Sequence, residues 1–405
     1  MVLRQKLNKI ISLFSFRDLE KNYFNFLKDN YNPIFLGRAR YGIYLSCNIS
    51  RSSHNTNKKV VLASPYTILD VLNCISASGC VPEFYDIQNE NNFFLDLKVL
   101  ENRLQKKDVL AVLITNYHLN YNEFPKLKKL SKKYKFKIIE DCAIAYNTSY
   151  SNNMKVGYYS DFAIFSHSLF KFSNYLWGGF LHVSDKKVFN NLKVLVNNNR
   201  RLNFFDYLPM VIKYFKFLII SSRFFYKIFL INLIKLDKKL KLNFIEKKIV
   251  NDPYVPFTGL IQENYETQPA RSYFKEMVNK IDFVNKNHIH RVEIASIYYK
   301  HLKHLLINCG YDTFCRNSGW INFPILLPSE KFASFLESKL ILNNIDISRK
   351  HYRNCHDVMG YSKIAGKSSI LKSIINRIIY LPTHQDVSMV QAKLISEIVL
   401  NADKY

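Results

Sequence analysis

Glycine and proline are scarce in this sequence, with 11 of each in 405 residues, which excludes collagen-like and Gly/Pro-rich low-complexity chains. The seven cysteines are scattered and include no CxxC pair. This usage predicts reduced thiols in a cytosolic protein, with neither disulfides nor a zinc site. No uninterrupted apolar run approaches the roughly twenty residues of a membrane-spanning helix. The basic first sixteen residues carry too short an apolar run for a signal peptide and predict a short amphipathic helix.

Acidic residues are also scarce: 32 Asp and Glu stand against 58 Lys and Arg, so the net charge is +26. The bias of an AT-rich genome explains much of this excess, because Asn, Lys, Ile, Tyr and Phe are all abundant. The functional alternative is an acidic partner such as a nucleotide-sugar, an anionic membrane or a nucleic acid. The sequence has no zinc-finger spacing, RNP-like aromatic motif or concentrated basic helix, so it predicts no nucleic-acid binding.

Short β-rich runs alternate with helical stretches between about residue 58 and residue 185. This alternation predicts an α/β fold with a mainly parallel central sheet and helices on its faces. Ligands in such sheets bind at the C-terminal ends of the strands, and Asp141 and Ser166 both follow predicted strands. The predicted strands are KKVVLAS, VPEFYDI, VLAVLITNYH, FKIIEDCA, DFAIFSH and GGFLHVS, and the helices are TILDVLNCISASG, LDLKVLENRLQKK and EFPKLKKLSKKYK.

The pattern changes after residue 200. A long basic and aromatic stretch, about 203–248, predicts a helical insertion. We expect a Pro/Gly loop and then a long helix from Ala270 after it. The remainder mixes strands (WINFPILLP and RIIYLP) with helices, which is typical of a small α+β domain. We therefore predict a large α/β domain over residues 1–250, which includes the insertion, and a smaller C-terminal α+β domain over residues 251–405.

Three polar residues in the α/β region suggest a chemistry. Taken singly, Asp141 could cap a helix, Ser166 could satisfy a turn, and Lys171 could be a solvated loop cation. Together they match the needs of pyridoxal phosphate (PLP): a lysine that forms a Schiff base, a carboxylate for the ring nitrogen and a hydroxyl for the phosphate. Phenylalanines on both sides of Lys171 favour its neutral, nucleophilic form, and Gly178–Gly179 permits a close backbone approach just beyond it.

The segments IIEDCAIAY, VGYYSDFAIFSHSLFK and WGGFLHVSD resemble the signature E-D-x-A, V-G-x-x-x-D, F-S-x-x-x-x-K and G-G of the DegT/DnrJ/EryC1/StrS family of sugar aminotransferases. The resemblance covers nearly the whole chain outside 203–248. It implies a fold-type-I PLP-dependent transferase. Four more segments carry it: GRARYGIYL, VVLASPYTILDVLNCISASGCVPEFYDI, ENYETQPAR and RIIYLPTHQDVS.

The resemblance implies a role for each matched residue. Lys171 would bind PLP covalently and move the proton between substrate and cofactor, and Asp141 would face the pyridine nitrogen. The phosphate would be bound by Ser166 and by the backbone N–H groups of Arg38 and Ala39 at a helix N-terminus, where the helix dipole also favours an anion.

The segment ENYETQPAR would reach a partner subunit, so the resemblance also implies a homodimer in which Asn264 contacts the phosphate of the neighbour's cofactor. Three positions depart from the family pattern: Ile144 replaces a glutamine, Ile68 replaces an aromatic residue, and Glu266 replaces an arginine. These departures leave room for weakened or altered activity.

We therefore expect a cytosolic enzyme that transfers an amino group, with glutamate as the expected donor, to a keto-sugar carried on a nucleotide diphosphate. Such an enzyme would serve the biosynthesis of a surface polysaccharide or lipopolysaccharide. The alternative is a degenerate family member with a membrane-associated binding or scaffold role in polysaccharide assembly. The sequence does not identify the sugar, the carbon or the nucleotide.

Residues 207–235 carry a basic stripe opposite a broad apolar face, a pattern expected at an anionic interface. We predict a helix that begins near Pro209 and lies on the inner surface of the cytoplasmic membrane. The competing interpretation is a dimer-interface or domain-packing helix pair. The stripe consists of Lys213, Lys216, Arg223 and Lys227.

Overall fold

The computed structural model shows an α/β protein built around one large sheet. The predicted N-terminal helix and the boundary at residue 250 lie outside the described residues, and the domain division stays a prediction. The residues that the structure describes are 27, 30–53, 58–90, 92–117, 123–150, 153–168, 171, 173–175, 177–220, 232–233, 236, 255–262, 264–305, 318–345, 347 and 353–402.

Each predicted β-rich run contains a strand, and the structure also has short strands that the sequence did not predict. In chain order they are β1 Pro33–Leu36, β2 Val60–Ala63, β3 Tyr66–Thr67, β4 Val81–Phe84, β5 Ile87–Asn89, β6 Asn92–Leu95, β7 Val109–Thr115, β8 Lys137–Asp141, β9 Phe162–Ser166, β10 Gly179–Val183, β11 Arg200–Arg201, β12 Thr267–Gln268, β13 Asn322–Leu326, β14 Arg353–Asn354 and β15 Ile378–Pro382.

The helices follow the amphipathic stretches. They are α1 Ala39–Ser53, α2 Leu69–Ala77, α3 Leu97–Leu104, α4 Phe124–Tyr134, α5 Lys186–Asn197, α6 Phe204–Ile220, α7 Arg271–Asn279, α8 Ile281–Leu302, α9 Glu330–Leu342, α10 Ser369–Ile374 and α11 Met389–Ala402.

Seven strands form the central sheet in the order β1-β10-β9-β8-β7-β2-β4. The pairs from β9 through to β4 are parallel, whereas β10 is antiparallel to both β9 and β1. The prediction of a mainly parallel sheet is therefore confirmed. All seven residues of β7 are buried, as expected for a central strand that is covered on both faces.

Two hydrophobic clusters lie on the two faces of this sheet. Along β7, Val112 and Ile114 belong to one cluster and Ala111 and Leu113 to the other, which is the alternation of a strand. A third cluster is built from residues between 294 and 402, where β13 pairs antiparallel with β15.

Capping side chains explain where several helices begin. Asp96 caps α3, Asp185 caps α5 and Ser329 caps α9, each by accepting hydrogen bonds from backbone N–H groups of the first turn. Gly79, with φ of 75°, closes α2 as the sequence predicts.

Two helix predictions need correction. The long helix predicted from Ala270 is two helices, α7 and α8, with Lys280 between them at φ −104° and ψ 2°. Helix α6 begins at Phe204 and has Pro209 inside it, so the predicted start near Pro209 is wrong.

The earlier start of α6 has a local cause. The Asn203 side chain accepts a hydrogen bond from Asp206 N–H, and the Asp206 carboxylate accepts one from Asn203 N–H. This reciprocal pair is a capping box, which outweighs the tendency of proline to mark the first turn. Within the part of the chain that the structure describes, no helix is long and apolar enough to cross a membrane.

Candidate active site

The sheet register brings three sequence-distant segments to one edge. Leu36, the last residue of β1, pairs with Gly179, the first residue of β10, and Gly179 pairs with Ser166, the last residue of β9. Because β10 is antiparallel to both neighbours, its beginning meets their ends. The turn after β1, the hydroxyl of Ser166 and Gly178 therefore meet at the C-terminal edge of the parallel strands.

A cavity opens at this edge, and five of the six predicted site residues line it: Lys171, Asp141, Ser166, Arg38 and Ala39. The sixth, Asn264, is exposed and is not part of the lining. Ile68 and Gly178, which the sequence motifs also single out, line the cavity as well. Sequence reasoning missed the other residues of the wall, which are Arg40, Ile43, Val71, Ala143, Ile164 and Ser168.

Asp141 presents a buried carboxyl to the cavity. Burial raises the pKa of this carboxyl, and three charge and dipole effects oppose the rise: a hydrogen bond from Ala143 N–H, the charge of Lys171 and the charge of Arg40. The Ala143 N–H donates to Asp141 Oδ1 at 3.0 Å. A buried carboxylate of this kind favours a cationic ligand atom, because a positive charge offsets its lost hydration.

The backbone around Asp141 is held in place by the sheet and by Glu140. Asp141 O accepts a hydrogen bond from Asn116 N–H at 3.0 Å. The neighbouring Glu140 carboxylate, fully buried, accepts hydrogen bonds from Asn116, Tyr150, Ser160 and Gly157 N–H, at distances between 2.6 and 2.9 Å. This network fixes the chain that enters and leaves the site.

The turn between β1 and α1 has the features of an anion site. Gly37 N–H donates to Thr267 O at 2.8 Å, and a Cβ at Gly37 would lie 2.2 Å from Thr267 Oγ1. Only glycine fits this turn without displacement of Thr267. Helix α1 then starts at Ala39 and has no acidic residue in its first turn, so its N-terminal N–H groups and dipole face the cavity without a competing carboxylate.

Two serines and an arginine complete the polar wall. Ser166 Oγ lies 3.3 Å from Ser168 Oγ, so the two hydroxyls are within hydrogen-bonding distance of each other. Arg40 forms an ion pair with Asp70 at 2.8 Å and a hydrogen bond with Tyr265 Oη at 3.1 Å. Tyr265 also donates to Asp70, which ties the 264–268 segment to the cavity wall.

The three departures from the family pattern fall in different environments. Ile68 lines the cavity, whereas Ile144 is buried in the hydrophobic cluster and Glu266 is exposed. His167, which lies between Ser166 and Ser168, is fully buried among Tyr146, Tyr175 and other aromatic rings and does not line the cavity.

The donor set around the cavity fits PLP. An amine, a buried carboxylate, two serine hydroxyls and a helix N-terminus are brought together by the fold. These are the groups that a pyridoxal ring and its phosphate need. The apolar side chains of Ile43, Ile68 and Val71 in the same wall suit an aromatic ring.

Comparison with known proteins supports this interpretation of the site. Residues 39–206 match the model of the DegT/DnrJ/EryC1/StrS aminotransferase family. A segment of 140 residues, 34% of this chain, is 32% identical to the UDP-4-amino-4,6-dideoxy-N-acetyl-beta-L-altrosamine transaminase of Campylobacter jejuni and covers 36% of that protein. The matching segment thus spans about a third of the length of the curated relatives.

Solved structures extend the similarity to the whole fold. The Helicobacter pylori PseC, an aminotransferase involved in the biosynthesis of pseudoaminic acid, superposes with a TM-score of 0.67 at 16% identity, over 92% of this chain and 87% of that chain. Spr1654 from Streptococcus pneumoniae, in its PLP form, superposes with a TM-score of 0.68 at 14% identity, over 98% and 95%. These similarities confirm the predicted fold-type-I architecture. Residues 39–206 of this chain are therefore similar to the DegT/DnrJ/EryC1/StrS aminotransferase family.

Proposed function

We propose that this protein is a PLP-dependent aminotransferase that acts on a keto-sugar linked to a nucleotide diphosphate. Aminotransferases of the family are PLP-dependent, and a superposable relative carries that cofactor form. The observation that carries the proposal is the shared cavity of Lys171 and Asp141, with the N-terminus of α1 in the same wall.

Each residue has a role that follows from its environment. PLP, when bound, supplies an electron sink that stabilises negative charge on the substrate carbon. The Asp141 carboxylate would hold a proton on the ring nitrogen, and that cationic nitrogen would in turn lower the pKa of the carboxyl that burial has raised. Lys171 would provide the covalent attachment and then move a proton at the substrate carbon.

Ser166 and the start of α1 would hold the phosphate of the cofactor. Ser166 would donate its hydroxyl, and the N–H groups at the start of α1 would donate along the helix axis. Asn264 would serve the neighbouring subunit: it is exposed and outside the cavity lining of its own chain. We therefore propose a homodimer with two composite sites.

The name of the Campylobacter relative supports a substrate class for the proposal, because it places an amino group at carbon 4 of a UDP-linked dideoxy sugar. Transamination at that position starts from a ketone. We propose a UDP-linked 4-keto-6-deoxy-N-acetyl sugar as acceptor and glutamate as donor, in a route to a surface polysaccharide.

The membrane contact through residues 207–235 stays a prediction, because most of the basic stripe lies outside the described residues. Helix α6 exposes Phe205, Leu208 and Ile212, which suits either a membrane surface or a protein interface. Sedimentation with anionic liposomes at low and high salt distinguishes these two cases. Pelleting that weakens with salt supports the membrane, and a soluble protein that loses its dimer on deletion of 207–235 supports the interface.

Transfer of labelled nitrogen tests the proposed reaction. The full chain with PLP, ¹⁵N-glutamate and the UDP-linked 4-keto sugar should yield a ¹⁵N-amino sugar by mass spectrometry. Lys129→Ala, at an exposed position in α4, should retain this activity, and Lys171→Ala should lose it. A chain that binds PLP but aminates neither this sugar nor other nucleotide-linked keto-sugars would support the scaffold alternative.

A further inference from the structure

The side chain of Arg38 is a partly buried cation at the edge of the cavity. Its Nε is buried and has no hydrogen-bond partner among the described residues. Asp70, a carboxylate that acts on Arg38 electrostatically, forms its ion pair with Arg40 instead. Burial lowers the pKa of Arg38 to about 10, so the guanidinium stays protonated at neutral pH.

The guanidinium lies over the indole ring of Trp177, with its central carbon 2.9 Å from the ring centroid. Trp177 packs against Leu202, Ala270 and Tyr207 and precedes Gly178, which lines the cavity. The ring therefore belongs to a rigid wall beside the site. A cation–π contact neutralises no charge, and it is weaker than the charge-assisted hydrogen bonds of a guanidinium with an oxyanion.

We propose that the Arg38 side chain is a binding group for a phosphate oxyanion in this cavity, and that Trp177 holds the guanidinium at the site until the anion binds. The planar fork of arginine matches phosphate oxygens in pairs, and Arg38 immediately precedes the first residue of α1, whose N-terminus favours the same anion. The phosphate belongs either to the cofactor or to the diphosphate of the nucleotide-sugar. This assignment of its source rests on the proposed function.

Tryptophan fluorescence reports on this contact directly, because the chain has two tryptophans and the other, Trp320, is buried in the third hydrophobic cluster. Addition of inorganic phosphate to the cofactor-depleted full chain should change the emission of Trp177, and chloride at equal ionic strength should not. Trp177→Phe identifies the responding ring, since it should abolish the change.

Arg38→Gln should weaken phosphate binding about 10-fold, which is the scale of one lost charge-assisted contact. The phosphate affinity of Arg38→Lys should lie between that of Arg38→Gln and that of the parent. Arg51→Gln is the matched control, because it removes one charge near the far end of the same helix and should leave phosphate affinity unchanged. Circular dichroism confirms that each variant is folded, and Arg38→Lys keeps the test valid should the glutamine variant fail to fold.

Two paired titrations identify the source of the phosphate. If Arg38→Gln loses affinity for PLP but not for pyridoxal, Arg38 binds the cofactor phosphate. If it loses affinity for UDP but not for uridine, Arg38 binds the diphosphate of the substrate. The proposal would be overturned if Arg38→Gln bound phosphate, PLP and UDP with the affinities of the parent and if phosphate left the emission of Trp177 in the parent unchanged. The phosphate titration uses no PLP, so its outcome is independent of whether the protein proves to be an aminotransferase.

Discussion

The amine of Lys171 and the carboxyl of Asp141 line one cavity, and the charge of the amine lowers the pKa of the carboxyl while burial raises it. The two side chains are thus coupled electrostatically. Burial outweighs the amine, since the pKa of Asp141 is raised overall. A ligand with a cationic atom beside Asp141 would complete the compensation.

Asp141→Asn should separate stability from function. A carboxyl whose pKa is raised by folding stabilises the fold only at acidic pH, and at neutral pH its buried charge is unfavourable. The isosteric amide removes that charge, so the cofactor-free variant should unfold at the same temperature as the parent or higher. Its transamination rate should fall on the order of 100-fold, because one preorganised charge is lost.

Thermal unfolding at pH 7 and single-turnover kinetics measure the two effects. Asp185→Asn, which alters an exposed helix cap on α5, is the control for a simple loss of one carboxylate. An Asp141→Asn variant with near-normal turnover would show that the carboxylate has another role.

Glu140→Gln should destabilise the fold by about 2–3 kcal/mol. The fully buried carboxylate accepts from Asn116 at one oxygen and from Tyr150, Ser160 and Gly157 N–H at the other. An amide nitrogen at either position therefore faces at least one of these donors. Chemical denaturation measures the loss. Glu101→Gln, at a surface ion pair with Lys133, should change the unfolding free energy far less, because solvent screens such a pair.

Gly37→Ala should strain the turn before α1, because the added Cβ would lie 2.2 Å from Thr267 Oγ1. Overpacking of this kind destabilises by about 1–3 kcal/mol and should also weaken PLP binding. Thr267→Ala removes the atom that clashes, so the double variant should recover part of both losses relative to the two single variants. Fully additive losses would contradict a direct contact between the two residues.

Buried neutral histidines should make the protein sensitive to acid. Burial lowers the pKa of His182 to about 4 and that of His167 to about 3. Between pH 6.5 and 4 the unfolded chain binds protons that the folded chain does not, so stability falls as the pH falls. Each histidine contributes about 1 kcal/mol per pH unit in this range.

Buried carboxyls such as Glu140 and Asp141 have a raised pKa, so they make stability rise as the pH falls. The contribution of one histidine is therefore measured as the difference in unfolding free energy between a histidine variant and the parent at each pH. His182→Asn should flatten the decline of unfolding free energy between pH 6.5 and 4. His301→Asn, at an exposed position in α8, should leave the decline unchanged. Equal slopes for His182→Asn and the parent would contradict a neutral buried His182.

Much of the fold could be predicted from the sequence, because the signals were local. The strand runs that end at Asp141 and Ser166 were apolar and β-branched, and the register of parallel strands brings such ends together. The start of α6 was placed wrongly at Pro209, although the spacing of Asn203 and Asp206 is itself a local capping-box signal that precedes the proline.

The site was predicted in part for a similar reason. Lys171, Asp141 and Ser166 stand in a recognisable motif, whereas Arg40 and Ser168 enter the cavity wall through tertiary packing. Arg38 was assigned a backbone role from sequence alone. Its contact with Trp177 joins two segments that are neighbours only because β1 pairs with β10, and no local pattern reports such a pairing.

Mapping of the amine that binds PLP covalently tests the central claim most directly. The PLP-saturated full chain is reduced with borohydride, digested and analysed by mass spectrometry. Lys155 is the comparison, because it is a partly buried lysine whose amine has its pKa lowered by burial. We predict a phosphopyridoxyl group on Lys171, retained in Lys155→Ala and absent from a folded Lys171→Ala variant. A label on Lys155 or another lysine, or no label in the saturated sample, would contradict the assignment of this cavity as the active site.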